Sequence, residues 1–418
     1  MISSTMDPQK FELVHITDKE LIDFTREQNG HSWKGPLSIE DYVTREHVLS
    51  KAKIALSDIN RLYVLMLKDL QRSDAKMCSM EMLVRRAWKF SWSQTQNEVV
   101  KEDICCGCIG GVFTYPEYRG KGLAKIMIDK AVELGKSKFI GPNGFTFLYS
   151  EIGDFYDRCG FRSFNVPLVR IKLTKPSNSD TFEEIRAKED IEIGFIKYHE
   201  FGPYMELYSQ QLKEKLRKKV ENDKKPRVSL VPTADIIDWF HLRAKYFSFK
   251  LFHESSTQNI DFLSSCYEDL VEKFESFDPH YFGIKIMSEN KCIAFISWTY
   301  DWKKTDDKYA SKATVLKIYV EESQDYNHMA VKLIKLMIVY LESLRGDRVE
   351  SLSNPSEIVI WKSETSQEVL KWILSTCDAD EIDDNPSRSA ILINTGSDDN
   401  LLRNGQLVWE ENTKLPWF

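Results

Sequence analysis

Residues 108–161 read CIGGVFTYPEYRGKGLAKIMIDKAVELGKSKFIGPNGFTFLYSEIGDFYDRCGF, and the order of the parts decides the fold. An apolar run, Cys106, Cys108, Ile109, Val112 and Phe113, ends at Thr114-Tyr115-Pro116 and passes at once into Arg119-Gly120-Lys121-Gly122-Leu123-Ala124. Leu123, Ile126, Met127, Lys130, Ala131 and Leu134 then recur at steps of three and four, which predicts a helix. A strand therefore feeds a glycine-rich basic turn that opens a helix. The first turn of a helix carries unpaired N–H groups and the positive end of the macrodipole, so it accepts an anion wherever side chains leave the approach clear. Gly120 and Gly122 clear it. A pyrophosphate fits, with amides from Gly120 to Ala124 as donors and the Arg119 and Lys121 side chains adding charge. The turn lacks both the Gly-Lys-Ser/Thr ending of a Walker loop and the third glycine of G-x-G-x-x-G.

The run 113–124, with Pro116, Arg119, Gly120, Gly122 and Ala124, resembles the R-x-x-G-x-G/A acyl-CoA signature of the GNAT superfamily of N-acetyltransferases. Residues 145–150 predict a second strand, and Phe155-Tyr156-Asp157-Arg158-Cys159-Gly160-Phe161 resembles the Y-x-x-x-G-F element of the same superfamily. The resemblance implies an α/β fold (an α+β mixed sheet), acetyl-CoA as co-substrate and no metal. It places Val112, Phe113 and Thr114 along the pantetheine arm, and Arg119, Gly120, Lys121, Gly122, Leu123 and Ala124 at the diphosphate. Tyr156 falls on the family's usual general acid, with Tyr149 as the spare candidate.

The whole chain has 418 residues, 42% of them hydrophobic, enough for two or three domains. A net charge of −7 argues against a nucleic-acid binder. No apolar stretch is long enough to span a bilayer, and residues 1–13 lack the pattern of a signal peptide, so a cytoplasmic protein, with the nucleus also open to it, is expected. The eight cysteines are too few and scattered for a disulfide framework, and Cys105, Cys106 and Cys108 read as small core residues.

Upstream, residues 11–16 alternate as a first strand, Thr17 or Asp18 caps a helix through Phe24, and 29–37 reads as a loop. Ser38, with Asp41, starts a second helix to about Leu49. Residues 61–67 and 77–84 are strands, the second running on to Phe90, and 93–103 is an exposed connection. Residues 166–173 close a first unit, 1–175. A segment with a polar helix, 176–228, connects it to a second α/β unit, 229–418. There the order strand pair, strand, long helix, strand recurs, so this unit reads as a degenerate, GNAT-like copy. Its counterpart of the glycine turn, 321–327, has three acids and no glycine, which repels a diphosphate.

Acetyl transfer to an amine requires a base, a donor set for the oxyanion and an acid for the thiolate. Glu81, an acid inside an apolar strand, and Glu151 are the carboxylates nearest the expected cleft; the cofactor strand carries no acid from Ile104 to Thr114. In the superfamily the loop between the first two helices lies over the acceptor, which places His31 and Trp33 at its border. Arg85 or Arg86 offers a substrate carboxylate a bidentate partner, or pairs with surface acids. Residues 29–37, 112–124 and 148–156 together resemble fungal lysine N6-acetyltransferases, which implies a small-molecule amine, free lysine, as acceptor and a direct attack in a ternary complex. A protein or polyamine acetyltransferase and a non-catalytic CoA-binding interaction module are the alternatives. A homodimer is compatible with the sequence; no nucleic acid or membrane partner is expected.

Overall fold

The structure is a computed structural model describing residues 6–57, 60–173, 182, 192–256, 260–305, 308–344 and 355–417. Strand β1 (Phe11–His15) leads into helices α1 (Lys19–Trp33), α2 (Ile39–Leu49) and α3 (Lys53–Leu56). Asp18 accepts the Leu21 amide at 2.9 Å and Ser38 the Asp41 amide at 3.0 Å, the two caps that the sequence predicts. α1 outruns the predicted end at Phe24, so 29–33 is helix and not loop. Thr25, Arg26, Asn29 and Gly30 form its buried face, and polar inward residues hide a periodicity that is read from apolar ones.

β2 (Arg61–Asp69), β3 (Arg72–Ser93) and β4 (Glu98–Thr114) follow. The stretch 93–103, expected as an exposed connection, is mostly strand. β3 and β4 stay paired from Arg86 opposite Cys105 out to Ser93 opposite Glu98. α4 (Leu123–Leu134), β5 (Phe145–Ser150), a 3-10 helix Gly153–Cys159 and β6 (Arg162–Asn165) complete the run that decides the fold. β4 and β5 are parallel neighbours only from Cys106 opposite Phe145 to Ile109 opposite Leu148. Beyond that they part, and among the described residues no strand pairs with the second backbone edge of 110–114.

The remaining elements are β7 (Leu168–Lys172), β8 (Glu192–Lys197), α5 (Gly202–Asp223), β9 (Arg227–Leu230), α6 (Ala234–Ser248), α7 (Tyr267–Glu275), β10 (Tyr281–Ser288), β11 (Lys291–Thr305), β12 (Lys308–Val320), α8 (Tyr326–Ser343), β13 (Pro355–Trp361), α9 (Gln367–Thr376), β14 (Ala379–Ile382), β15 (Arg388–Ile393), α10 (Gly396–Arg403) and β16 (Val408–Trp409). One sheet runs β1-β2-β3-β4-β5-β15-β6, with β9 beside β3 and β16 beside β9; the other runs β14-β7-β13-β12-β11-β10-β8. β12 and β13 repeat the relation of β4 and β5, parallel to Thr314 opposite Val359 and then apart.

The halves exchange strands. Residues 166–173 do not close the first sheet: Pro167 interrupts the run, β6 stays, and β7 crosses into the second sheet between β13 and β14. β15 returns from near the C-terminus to fill the gap between β5 and β6. The segment 176–228 also does more than connect. α5 buries Met205, Tyr208, Leu212, Leu216 and Val220 along one stripe, and β8 and β9 join one sheet each. A shared core extends from Leu83 and Phe147 to Phe240 and Trp298, while Met80, Met82, Ile109 and Leu148 pack with α4 on the opposite face of the first sheet. Each such side chain is worth about 1.5–3 kcal/mol when fully buried, which holds the halves together. Among the described residues no helix is long and apolar enough to cross a membrane.

Candidate active site

Gly120 and Gly122 sit at φ +76° and +77°, in the left-handed region that only glycine adopts without strain. A Cβ at either position would meet nothing within 4 Å, so the approach to the first turn of α4 is open. No side chain caps that helix; Gly122 is its N-cap. The backbone amides are thus presented to an anion as the sequence predicts. The basic side chains behave differently from expectation. Arg119 Nε donates to the Thr114 carbonyl at 2.9 Å, with its guanidinium 5.1 Å from the Phe113 ring, and Lys121 Nζ donates to the Glu117 carbonyl at 3.0 Å. Both cations fold back on the turn and brace it, leaving the amides as the donors in front.

Before the turn, Gly110 lies opposite Glu81 and Phe113 opposite Ser79, so Gly111 and Val112 face the single residue Met80. This is a β-bulge, with Gly111 at φ +57° and Asn29 of α1 so near that a Cβ on Gly111 would come within 3.2 Å of its Nδ2. The bulge and the parting of β4 from β5 leave a slot edged by Val112, Phe113 and Thr114 and ended by the glycine turn. These residues fit the pantetheine arm and diphosphate of a coenzyme A thioester: a free strand edge, then open amides. Trp33 stacks edge-on against Phe113 at 5.8 Å while 37% exposed, so it borders the slot. His31, on the same helix, is exposed.

Glu81 stands at the bulge, only 8% exposed. Burial pushes its carboxyl up to about 7, against the pull of Arg26, whose Nε is 3.9 Å from Oε1. A carboxylate poised near neutrality is suited to take a proton from an ammonium group. Arg45 and Glu46 of α2 lie close by. Arg45 bonds Glu46 through Nε at 2.9 Å and rests on the rings of Tyr42 and of Phe247, the latter from α6 of the second half. Glu151 is exposed just past the end of β5, where its charge reaches Lys414.

Tyr156 belongs to the other face of the sheet, in the core with Leu123, Ile126 and Met127 of α4 and edge-on to Phe155 and Phe161. Burial raises its phenol pKa well above the ordinary value. Among the described residues its hydroxyl has no hydrogen-bond partner. Glu81 and Tyr156 therefore lie on opposite faces of the sheet. Tyr149, the spare acid, is committed elsewhere: its hydroxyl donates to the Thr413 carbonyl at 3.0 Å.

Arg85 is 2% exposed, over the Phe147 ring at 5.3 Å, with Nη2 donating to the Pro416 carbonyl at 2.5 Å. Its Nε and Nη1 are buried without a partner among the described residues, so it does not pair with surface acids. The C-terminal segment that covers it was not legible as part of a site. Trp417 stacks on Tyr149 at 5.1 Å, Asn412 Nδ2 donates to Ser389 Oγ at 2.7 Å, and Lys414 lies over the Trp417 ring. Its one sequence signal is the apolar, aromatic ending Leu415-Pro416-Trp417.

In the second half the matching strand edge lines a cavity of about 340 Å³, but the chain's own carboxylates already engage its donors. Glu364 accepts the Ile318 amide at 2.8 Å and pairs with Lys317 at 2.9 Å, on the stretch of β12 past its parting from β13. Asp325 accepts the Asn327 and His328 amides at the start of α8. Carboxylates of the chain itself hold the donors that the first half leaves open.

A model for the LYC1 GNAT-like C-terminal domain matches residues 176–418, well over half the chain, and one for the acetyltransferase (GNAT) family matches 94–161. The uncharacterized protein YGR111W of Saccharomyces cerevisiae is 26% identical over 443 residues, across 100% of this chain and 99% of its own. Among solved structures, a GCN5-related N-acetyltransferase from Anabaena variabilis is 12% identical with a TM-score of 0.49, over 92% of this chain and 73% of that one. Saccharomyces cerevisiae N-myristoyltransferase with bound myristoyl-CoA and inhibitors is 10% identical with a TM-score of 0.47, over 94% and 84%.

Proposed function

The chain belongs to the LYC1-like family of GNAT acyl-CoA N-acyltransferases, and on that premise we propose that it transfers an acetyl group from acetyl-CoA to the side-chain amine of free lysine by direct attack in a ternary complex. The observation that carries this reading is the buried carboxylate of Glu81 at the bulge beside an open strand edge that ends in unobstructed helix amides. The amides from Gly120 to Ala124 hold the diphosphate, and the free edge at 112–114 holds the arm and aims the thioester at the parting of β4 and β5. Glu81 takes a proton from the arriving ammonium. Tyr156, which burial keeps protonated, donates to the departing sulfur.

Charges of both signs on the acceptor side support an amino acid as acceptor. The carboxylates of Glu81 and Glu46 suit the amine, and the two open donors of Arg85 suit the carboxylate. The second half walls this side through Phe247 and the C-terminal segment. A cytosolic setting with a diffusible acceptor fits the same reading. The test is release of coenzyme A from acetyl-CoA across free lysine, polyamines and lysine peptides. Free lysine is expected to give the highest kcat/KM. Preference for a peptide or polyamine would replace the acceptor, and binding without turnover across the panel would leave a CoA-binding module.

A further inference from the structure

A line of side chains leads away from Glu81 that the reaction above does not use. Asp23 Oδ1 accepts from His47 Nε2 at 2.5 Å, and His47 Nδ1 accepts from Arg26 Nη1 at 3.0 Å. Arg26 Nε then stops 3.9 Å short of Glu81 Oε1. A guanidinium has no acceptor, so the bond to Arg26 requires an unprotonated Nδ1. The remaining N–H of His47 goes to Asp23, which fixes the tautomer. Burial, with the Arg26 charge, holds His47 below its ordinary range, so it stays neutral at neutral pH.

Arg26 is 3% exposed, and its Nε is buried without a hydrogen-bond partner among the described residues. A buried guanidinium beside a buried carboxylate normally closes to about 2.7–2.9 Å, often through two parallel bonds. Here it does not close. The other charged groups around it are already engaged. On α1, Lys19 bonds Asp23 at 2.8 Å; on α2, Arg45 and Glu46, whose opposite charges both reach Glu81, bond each other, and burial keeps the Tyr42 phenol protonated; on α6, Arg243 bonds Asp301 at 3.3 Å; β4 carries no charged residue from Ile104 to Thr114. Arg26 is thus the cation positioned to close on Glu81, and His47 is what pulls it the other way.

We propose that Asp23 and His47 are positioning residues that hold Arg26 at the long end of ion-pair distance from Glu81, so that the carboxylate keeps its oxygens for the acceptor amine instead of closing into a hydrogen-bonded pair. The proposal rests on Glu81 being the base. Removing the acceptor at position 47 lets Arg26 close, which lowers the proton affinity of Glu81 and locks its oxygens. Removing the guanidinium has the opposite effect.

The experiment is the pH dependence of kcat/KM, from roughly pH 6 to 9, for the full chain with its best acceptor. Glu81→Gln is expected to lose at least about 100-fold, and a near-normal rate would overturn the base assignment and this proposal together. Given that loss, His47→Leu is expected to move the acid limb down by about one unit, and Arg26→Met to move it up by a similar amount. His47→Asn, whose amide oxygen can stand in for Nδ1, restores most of the wild-type profile. Should His47→Leu fold poorly, Asp23→Asn at the half-buried outer end of the line gives the same downward shift, smaller. Limbs that move together or stay fixed while Glu81→Gln is inactive overturn the proposal and leave Glu81 as base.

Discussion

The Tyr149 hydroxyl donates to the Thr413 carbonyl at 3.0 Å, while the Tyr149 ring lies 5.1 Å from that of Trp417. The strand that borders the slot and the last described residues of the chain are thus one packed unit. Glu411 ties the start of that segment to Lys317 at 2.8 Å, and Arg85 holds its other end through Pro416. Tyr149 and Arg85 are covered by a strap pinned to both halves.

Arg85 separates two roles. As a pin it needs only Nη2; as a carboxylate anchor it needs Nε and Nη1, which are buried and open. Arg85→Met keeps the apolar contact with Phe147 and removes all of these donors. If the anchor role holds, KM for lysine rises by about 10- to 100-fold, while KM for a diamine lacking the carboxylate changes less than about threefold. Equal changes for both acceptors would leave Arg85 as a pin alone.

Glu81 carries a stability cost whose sign can be worked out. Its carboxyl is pushed up to about 7 by burial, above its value in the unfolded chain. Between those two values the folded state holds a proton that the unfolded state has lost, so stability falls as pH rises and the cost is complete above about pH 7. Glu81→Gln has no such proton. Relative to the wild type, its denaturant midpoint should gain the equivalent of about 2 kcal/mol between pH 5 and pH 8, even as turnover is lost. A pH-independent difference would place the titrating group elsewhere.

The glycine turn, the helix behind it and the strand ahead were legible because glycine at a left-handed position and a three-four apolar repeat are local features. Both leave marks within 20 residues. Glu81 was legible for the same reason, as an acid in an apolar strand. Arg26, Asn29 and His47 were not: they are polar residues on buried helix faces, and their meaning depends on Glu81 and Gly111, which are distant in the chain. The strand exchange was equally hidden. β7 and β15 alternate as any strand would, and nothing local says which sheet receives them.

Lys317 is buried between Glu364 and Glu411, with the Tyr208 hydroxyl donating to Glu411 at 2.5 Å. Burial raises Glu364 to about 6 against the pull of Lys317, whereas for Glu411 the same burial is outweighed by Lys317 and Tyr208, which hold it at about 2. Lys317→Met leaves two buried carboxylates without their cation and should cost about 3–5 kcal/mol at pH 8, and less near pH 5, where Glu364 takes up a proton. Because Glu411 starts the strap, amide exchange over 411–417 should accelerate in this variant more than in β5. Uniform acceleration would show that the triad stabilises the fold without pinning the strap.

The two halves share a strand order yet differ at the helix that follows the parted strands. α4 begins at Gly122 with open amides; α8 begins under Asp325, whose carboxylate already accepts the Asn327 and His328 amides, and Glu364 occupies the strand edge. A second diphosphate would have to displace one carboxylate and lie against another, so titration calorimetry should give one acetyl-CoA per chain. Gly122→Val forces a branched side chain into a left-handed conformation and sets it before the amides; it should weaken that binding by at least about tenfold, with a loss of about 1–3 kcal/mol in stability. Asp325→Ala removes the α8 cap and should cost about 1 kcal/mol without altering the affinity or number of sites, because Glu364 still fills the edge. Binding that survives Gly122→Val but falls in Asp325→Ala would move the coenzyme to the second half, and with it the acceptor and every role given above to Glu81.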